Sequence, residues 1–134
     1  MTDNRVPTEV VDFLRDHIQT YEQLEVLVRV GRDPRLDHVI ASLVMELNLD
    51  ASAGAAVVSQ LSEAGLLTIV PDAAGDRVRC HADAATIVAR LAQVYESDRM
   101  ELMSQMTQNA IDRVRTSALR TFSSAFVLGR KRDG

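Results

Sequence analysis

The sequence predicts a mainly α-helical fold with one β-hairpin. Three features between Leu36 and His81 support this: an apolar stripe at helical spacing, a second helix between an aspartate and a glycine, and two β-rich segments around a turn. This is the order of a winged helix-turn-helix. We expect that domain in residues 1–83, followed by a C-terminal helical segment with a basic tail in residues 84–134, both in one compact unit.

The first helix of the pair is predicted from an apolar stripe that consists of Leu36, Val39, Ile40, Leu43, Val44 and Leu47. Asn48 can end this helix in a left-handed conformation, and Asp50 is a suitable N-cap for the next one. The second helix is predicted to run from Ala51 to Ala64 and to end at Gly65. Its inner face is predicted to contain Ala53, Gly54, Val57, Leu61 and Ala64.

The hairpin is predicted from two short segments of β-rich composition. The strands are expected at Leu67–Val70 and Arg77–Cys80, with turn residues from Pro71 to Asp76 between them. Cys80 and His81 are neighbours and therefore point to opposite faces of a strand. We interpret both as structural residues.

Two helices, or one kinked helix, are predicted before this unit. The first has an apolar face between Val10 and Ile18, with His17 at the edge of the core. The second begins with the capping-box spacing of Thr20 and Gln23 and ends at Gly31.

After the hairpin, Asp83 is predicted to cap a long helix, because residues 84–127 contain neither Pro nor Gly. Unbroken, this helix would be about 65 Å long. It must therefore bend, at Ser97-Asp98 or at Gln108-Asn109, or leave the body and pack on another chain.

Composition gives the broad limits. The chain has 134 residues, of which 46% are hydrophobic and 4% aromatic, so we expect one domain with an aliphatic core. A single cysteine is typical of a cytoplasmic protein, and the sequence has no apolar run long enough for a membrane span. We find no catalytic constellation, metal-ligand spacing or phosphate-binding loop, and predict no enzymatic activity, cofactor or metal.

The charge is uneven. Residues 112–134 contain six basic and two acidic residues, whereas the rest of the chain has a net charge of −8. The outward face of the second helix is predicted to consist of Ser52, Ala55, Ser59 and Ser62, flanked by Ala56, Val58 and Glu63, while Gln60 lies nearer the buried side. Base readout normally uses Arg, Lys, Asn or Gln. Candidate DNA-binding residues are therefore Arg77, Arg79, Ser52, Ser59, Arg32 and Arg35.

Two segments resemble known proteins. Residues 60–67, Gln-Leu-Ser-Glu-Ala-Gly-Leu-Leu, resemble the end of the recognition helix in MarR-like bacterial regulators. Residues 21–27, with Arg32-Asp33-Pro34, look like a group of small bacterial winged-helix proteins without assigned function, which also share an apolar segment similar to residues 119–126. The resemblance implies the fold superfamily and supplies no catalytic or binding residues.

Two functions remain open from the sequence. The first is a DNA-binding transcription regulator that uses its wing and basic tail with weak base readout. The alternative is a protein-interaction module that kept the fold and lost its reading face. A contiguous positive face with Arg77 and Arg79 would favour DNA, and a neutral apolar patch there would favour a protein partner. Binding to a membrane surface through residues 113–132 is a third, less favoured interpretation.

The C-terminal segment is predicted to form a homodimer. Its apolar stripe consists of Ile111, Val114, Leu119, Phe122 and Phe126, and lies beyond a polar region at residues 104–109. An exposed stripe of this size is a liability in a monomer, and a two-fold pair is the commonest way to bury it. The competing interpretation is that the segment folds back on the Val10–Ile18 helix.

Overall fold

The structure, a computed structural model, describes the backbone of residues 6–133 and the side chains of residues 6–122. In chain order, the elements are α1 (Thr8–His17), α2 (Tyr21–Gly31), β1 (His38–Val39), α3 (Ile40–Glu46), α4 (Ala51–Glu63), β2 (Leu67–Val70), β3 (Arg77–Cys80), a 3₁₀ turn (Ala82–Ala84), α5 (Ala85–Ser97) and α6 (Arg99–Asp133). This is a mainly α-helical winged helix with a small antiparallel sheet, as predicted.

The helix-turn-helix consists of α3 and α4, which are bent by 116° relative to each other. Such pairs usually cross at about 90–120°. Asn48 has a φ of +55° and allows the tight turn. The Asp50 carboxylate then accepts a hydrogen bond from the Ala53 N–H at 3.3 Å and caps α4. Both predicted turn residues are therefore confirmed.

The predicted start of the first helix is wrong. Leu36 lies in the preceding turn and is 54% exposed, and α3 begins only at Ile40. The intervening residues form β1, where His38 pairs with Val78 and Val39 with Arg77. The apolar spacing does not distinguish the two states, because the partner strand lies about 40 residues further along the chain.

The sheet has the order β1-β3-β2. The β2–β3 register runs from Leu67 opposite Cys80 to Val70 opposite Arg77, so the predicted strands are confirmed at both ends. Val78 and Cys80 share the buried face of β3. Gly65 has a φ of +79°, which a side chain rarely tolerates, and it lets the chain turn from α4 into β2.

Two separate helices, not one kinked helix, precede this unit. The capping box at the start of α2 is present, with Thr20 accepting from the Gln23 N–H and the Gln23 side chain accepting from the Thr20 N–H. At the other end of α2, a Cβ on Gly31 would lie 2.6 Å from the Val88 carbonyl oxygen. A glycine is thus required where α2 meets α5. His17 is exposed and its ring lies 5.1 Å from that of Phe13.

The C-terminal segment bends once. Asp98 leaves the helical conformation, with φ −137° and ψ 48°, and separates α5 from α6. One of the two predicted bends is therefore correct, whereas Gln108-Asn109 lies within continuous helix. The predicted cap at Asp83 is wrong. The His81 Nδ1 accepts the Asp83 N–H at 3.1 Å and caps the 3₁₀ turn before α5.

The core is aliphatic and centred on α2, which packs against α4, α5 and β3. Its largest fully buried side chains are Leu14, Ile18, Leu24, Leu27, Leu43, Leu61, Leu67, Leu91 and Leu102. In the described part of the chain no single helix could span a membrane by length and hydropathy, although the bent pair α3 and α4 together meets those two criteria.

Candidate interaction face on the helix-turn-helix

The exposed side of α4 carries small, uncharged side chains. Ser52, Ala55 and Ser59 are exposed, as predicted, and Ser62 is half-buried. Val58, predicted to flank this face, is instead 1% exposed, while Ala53 and Ala64, predicted to face inward, are exposed.

The buried side of α4 thus consists of Gly54, Val57, Val58 and Leu61. Helix α4 is thus rotated about its axis relative to the predicted orientation. This rotation follows from packing on α3, since a Cβ on Gly54 would come within 2.6 Å of both γ-carbons of Val44. Gln60 is exposed, but its Oε1 accepts the Gln23 amide at 3.1 Å, on the side towards α2.

Two apolar grooves adjoin the first turns of α3. The wing groove, about 330 Å³, separates α4 from the hairpin and is lined by Val39, Ile40, Ala41, Ala55, Val58, Ser59, Ile69, Ala74, Gly75 and Asp76. The turn groove, about 440 Å³, is lined by Ile40, Ala41, Val44, Met45, Leu49 and Ala51. Because both are lined by Ile40 and Ala41, they flank one ridge. We call this ridge, its two grooves and the exposed side of α4 the helix-turn-helix face.

Residues 36–76, which we call the helix-turn-helix unit, are acidic. Residues 36–76 contain no lysine or arginine and six acidic residues. Three of the six pair with arginines: Asp37 with Arg79, Glu46 with Arg29, and Asp72 with Arg77. The other three, Asp50, Glu63 and Asp76, form no ion pair within the part of the chain that the structure describes.

The arginines predicted to bind DNA are mostly paired with carboxylates of the same chain. The Arg77 Nε lies 2.9 Å from Asp72 Oδ2, the Arg79 Nε lies 3.6 Å from Asp37 Oδ1, and an Arg32 Nη lies 2.6 Å from Glu96 Oε1. Arg35 is exposed and has no ion pair among the described residues. These arginines therefore do not form one unopposed positive surface.

The four arginines do not all lie in one group. Arg77 and Arg79 lie two residues apart on β3 and share its outer face. Arg35 and Arg79 line a cavity of about 680 Å³ beside the start of α5. Arg32 instead bonds to α5 at the end of α2. None of these four arginines lines either groove of the helix-turn-helix face.

The hairpin turn holds its own charges in place. Asp72 accepts the Ala74 N–H at 3.2 Å and the Arg77 guanidinium at 2.9 Å. The hydrogen bond from Ala74 and then that from Arg77 lower the pKa of Asp72 below its ordinary value. The Arg77 side chain is thus directed towards the turn by an ionised partner.

The other reactive groups have structural surroundings. Cys80 is 4% exposed in the core, and burial raises the pKa of its thiol. Among the described residues, no group of three or more His, Cys, Asp or Glu side chains could hold a metal ion.

The predicted dimerisation residues lie on the distal part of α6. Ile111, Val114, Leu119 and Phe122 are 43%, 69%, 67% and 70% exposed, while the side chain of Phe126 lies outside the described residues. Within the chain, α6 packs on α1 and α5, and among residues 99–122 its buried side chains are Leu102, Met106 and Asn109. The proximal half of α6, by which we mean residues 99–109, therefore folds back on the body as the competing interpretation requires. The described residues of the stripe, in the distal half from residue 110 onwards, do not.

Solved structures of similar fold support this architecture. HlyU from Vibrio cholerae superposes with a TM-score of 0.53 at 16% identity, over 66% of this chain and 90% of its own. A MarR family transcriptional regulator from Silicibacter pomeroyi gives 0.53 at 23% identity, over 88% and 87%. This chain has a MarR-like winged-helix fold.

A transcriptional regulator from Thermotoga maritima is similar over 94% of this chain and 86% of its own, with a TM-score of 0.51 at 17% identity. At identities this low, structural similarity establishes only the fold of this MarR-like chain. No family model and no curated protein matches its sequence.

Sequence reasoning missed β1, the two grooves and the extent of the acidic stretch around the helix-turn-helix. The acidity was readable, since the absence of lysine and arginine from residues 36–76 requires only a count. The grooves were not readable, because they form between elements that are distant in sequence.

Proposed function

We propose that this chain is a non-enzymatic regulator whose helix-turn-helix face binds a protein instead of reading bases. The observation that carries the proposal is the chemistry of that face: two apolar grooves in a unit with six acidic residues and no lysine or arginine. The grooves adjoin the exposed side of α4, where base-reading side chains would be expected and where Ser52, Ala55 and Ser59 lie instead.

The physical reason is electrostatic. DNA binding depends on lysine and arginine that displace counterions from phosphates. A carboxylate without an ion-pair partner repels the phosphates of the DNA backbone instead. Asp50, Glu63 and Asp76 are such carboxylates among the described residues. Apolar grooves with little charge at their centre are typical of surfaces that bind proteins.

The test is a fluorescence anisotropy titration with random duplex DNA at two salt concentrations. We expect no saturable binding up to about 100 µM protein, the weak end of ordinary non-specific binding. A Ser52→Arg, Ser59→Arg variant serves as the matched positive control, since it adds two cations to the exposed side of α4. Salt-dependent binding by the unchanged chain at micromolar concentration would overturn the proposal.

A second candidate is DNA binding through the wing with little base readout. It is favoured by the position of Arg77 and Arg79 on one face of β3, where their side chains are 42% and 47% exposed. Exposed ion pairs contribute only about 0–1 kcal/mol, so a phosphate could displace Asp72 or Asp37. In this case Arg77→Ala with Arg79→Ala should weaken binding and reduce the log–log salt slope by about 0.9 per lost contact, while Ser59→Ala should change little.

We also infer that the regulator acts as a homodimer. The exposed stripe on α6 supports this inference.

A further inference from the structure

We propose that the partner of the helix-turn-helix face is a cationic amphipathic helix that places one apolar side chain in each of the two grooves. The inference rests on the proposed function and adds the chemistry of the partner. It follows from the shape of the grooves, the small side chains between them and the charges around them.

The grooves define the apolar side of the partner. Each is lined mainly by aliphatic side chains, and the ridge formed by Ile40 and Ala41 separates them. Two anchors on one face of a ligand are therefore required. Met45, which is 76% exposed beside the turn groove, has a flexible side chain that can adjust to the anchor it meets.

The small side chains favour a helical ligand. Ala55 and Ser59 line the wing groove, and Ala41 lies on the ridge between the grooves. Where side chains are this short, a helix can approach closely. The turn groove is formed by α3, α4 and the turn between them, which offer no strand edge for a strand-like ligand. The fitting mode is therefore a helix whose two anchors lie at a spacing such as i and i+4 or i and i+7.

The charges define the rim. Asp76 lines the wing groove, Glu63 lies one turn beyond Ser59 on α4, and Asp50 lies between two residues that line the turn groove. These three carboxylates have no ion-pair partner within the described residues. Lysine or arginine on the flanks of the partner would pair with them, which adds specificity and speeds association.

The experiment is a selection from a displayed library of random helical peptides, with the full chain as bait. We expect the enriched peptides to have a net positive charge and aliphatic or aromatic residues at helical spacing. For the best peptide, measured by anisotropy, Ala55→Arg should weaken binding about tenfold or more, because it fills the wing groove and adds a like charge. Ala110→Arg, the same change on an exposed alanine of α6, should leave binding unchanged.

A charge reversal tests the rim separately. Repeating the selection with Glu63→Arg as bait should shift the enriched peptides towards lower positive charge, and Glu22→Arg, an equal change at an exposed position of α2, should not. Enrichment of acidic peptides, or binding that is insensitive to Ala55→Arg, would overturn the inference. Failure to enrich any peptide that depends on this face would also overturn it.

The two proposals fail separately. Salt-dependent DNA binding at micromolar concentration in the anisotropy titration would reject the proposed function. An enriched peptide that needs the helix-turn-helix face but carries no positive charge would keep the proposed function and reject the cationic partner. Selection of a peptide similar to residues 110–128 would identify a second copy of this chain as the source of the helix.

Discussion

At the scale of single residues, close approach between helices decides the geometry of the candidate face. Gly54 is buried against Val44, and the missing Cβ sets how deeply α4 sits on α3. That depth in turn determines that Val58 is buried and that Ala55 and Ser59 line the wing groove.

We therefore expect Gly54→Ala to destabilise the fold. Overpacking costs about 1–3 kcal/mol, and the gain in helix propensity offsets about 1 kcal/mol of it. Urea unfolding should show a lower midpoint with an unchanged m-value. In a Val44→Ala background the same substitution should no longer be destabilising. An equal loss in both backgrounds would mean that the contact with Val44 is not the cause.

A second residue-scale prediction concerns Asp72. Its pKa is lowered first by the Ala74 N–H and then by Arg77, so Arg77→Ala should raise the pKa only part of the way to the ordinary value of 3.8. A carboxyl with a lowered pKa in the folded state stabilises the fold above the unfolded value, and the effect disappears as the pH falls through the folded value. A carbon-detected NMR titration of the unchanged chain and of the Arg77→Ala variant measures the pKa of Asp72 in each. Complete return to 3.8 would assign the whole shift to Arg77.

At the scale of elements, local signals were sufficient for the turns, the hairpin and the caps of α2 and α4. Asn48, Asp50, Gly65 and the capping box of α2 each act on backbone groups within a few residues, so their sequence determines their role. The hairpin follows from the same kind of signal, because its strands are joined by a short turn.

Elements that depend on distant partners were not predicted. β1 exists only because β3 offers it hydrogen bonds, and the rotation of α4 depends on its contact with α3. The cap at His81 was missed because histidine is an uncommon capping residue, and Asp83 seemed the better acceptor. The candidate face, which lies between elements, was accordingly predicted less well than the elements themselves.

The apolar side chains of the two halves of α6 lie on opposite sides of the helix. Leu102 and Met106 are buried against the body, whereas Ile111 and Phe122 lie about 140–180° around the helix axis from those two residues. The distal apolar stripe therefore faces away from the body that the proximal half packs against.

The two halves should respond differently to substitution. Leu102→Ala should reduce the free energy of unfolding by about 2–5 kcal/mol, because it leaves a cavity in the core. Val114→Glu, at a side chain that is 69% exposed, should change it by less than about 0.5 kcal/mol. Urea titrations at submicromolar protein, where association is weakest, provide the comparison. A loss of several kcal/mol in Val114→Glu would mean that the distal half belongs to the folding unit of one chain.

At the scale of the whole molecule, acidic and basic regions are separated. Residues 1–111 have a net charge of −8, and residues 112–134 have a net charge of +4. The last hydrogen bond described between α6 and the N-terminal part of the chain runs from Arg113 to the carbonyl of Gln19, between α1 and α2, at 3.4 Å. From there α6 continues for about 30 Å to Asp133. The described side chains of the apolar stripe are exposed along this part of the helix, and we expect a partner to bury them.

We expect this partner to be a second copy, because the stripe is self-complementary in chemistry and closed two-fold pairs are the commonest assemblies. Sedimentation at micromolar concentration should give about twice the monomer mass of 14.8 kDa. Val114→Glu with Phe122→Glu should yield a monomer, since two carboxylates would be buried in the interface, and the matched change Ala55→Glu with Ser59→Glu on α4 should leave the mass unchanged. A monomer across the whole concentration range would reject the dimer. An unchanged dimer mass in the Val114, Phe122 variant would place the interface on another part of the surface.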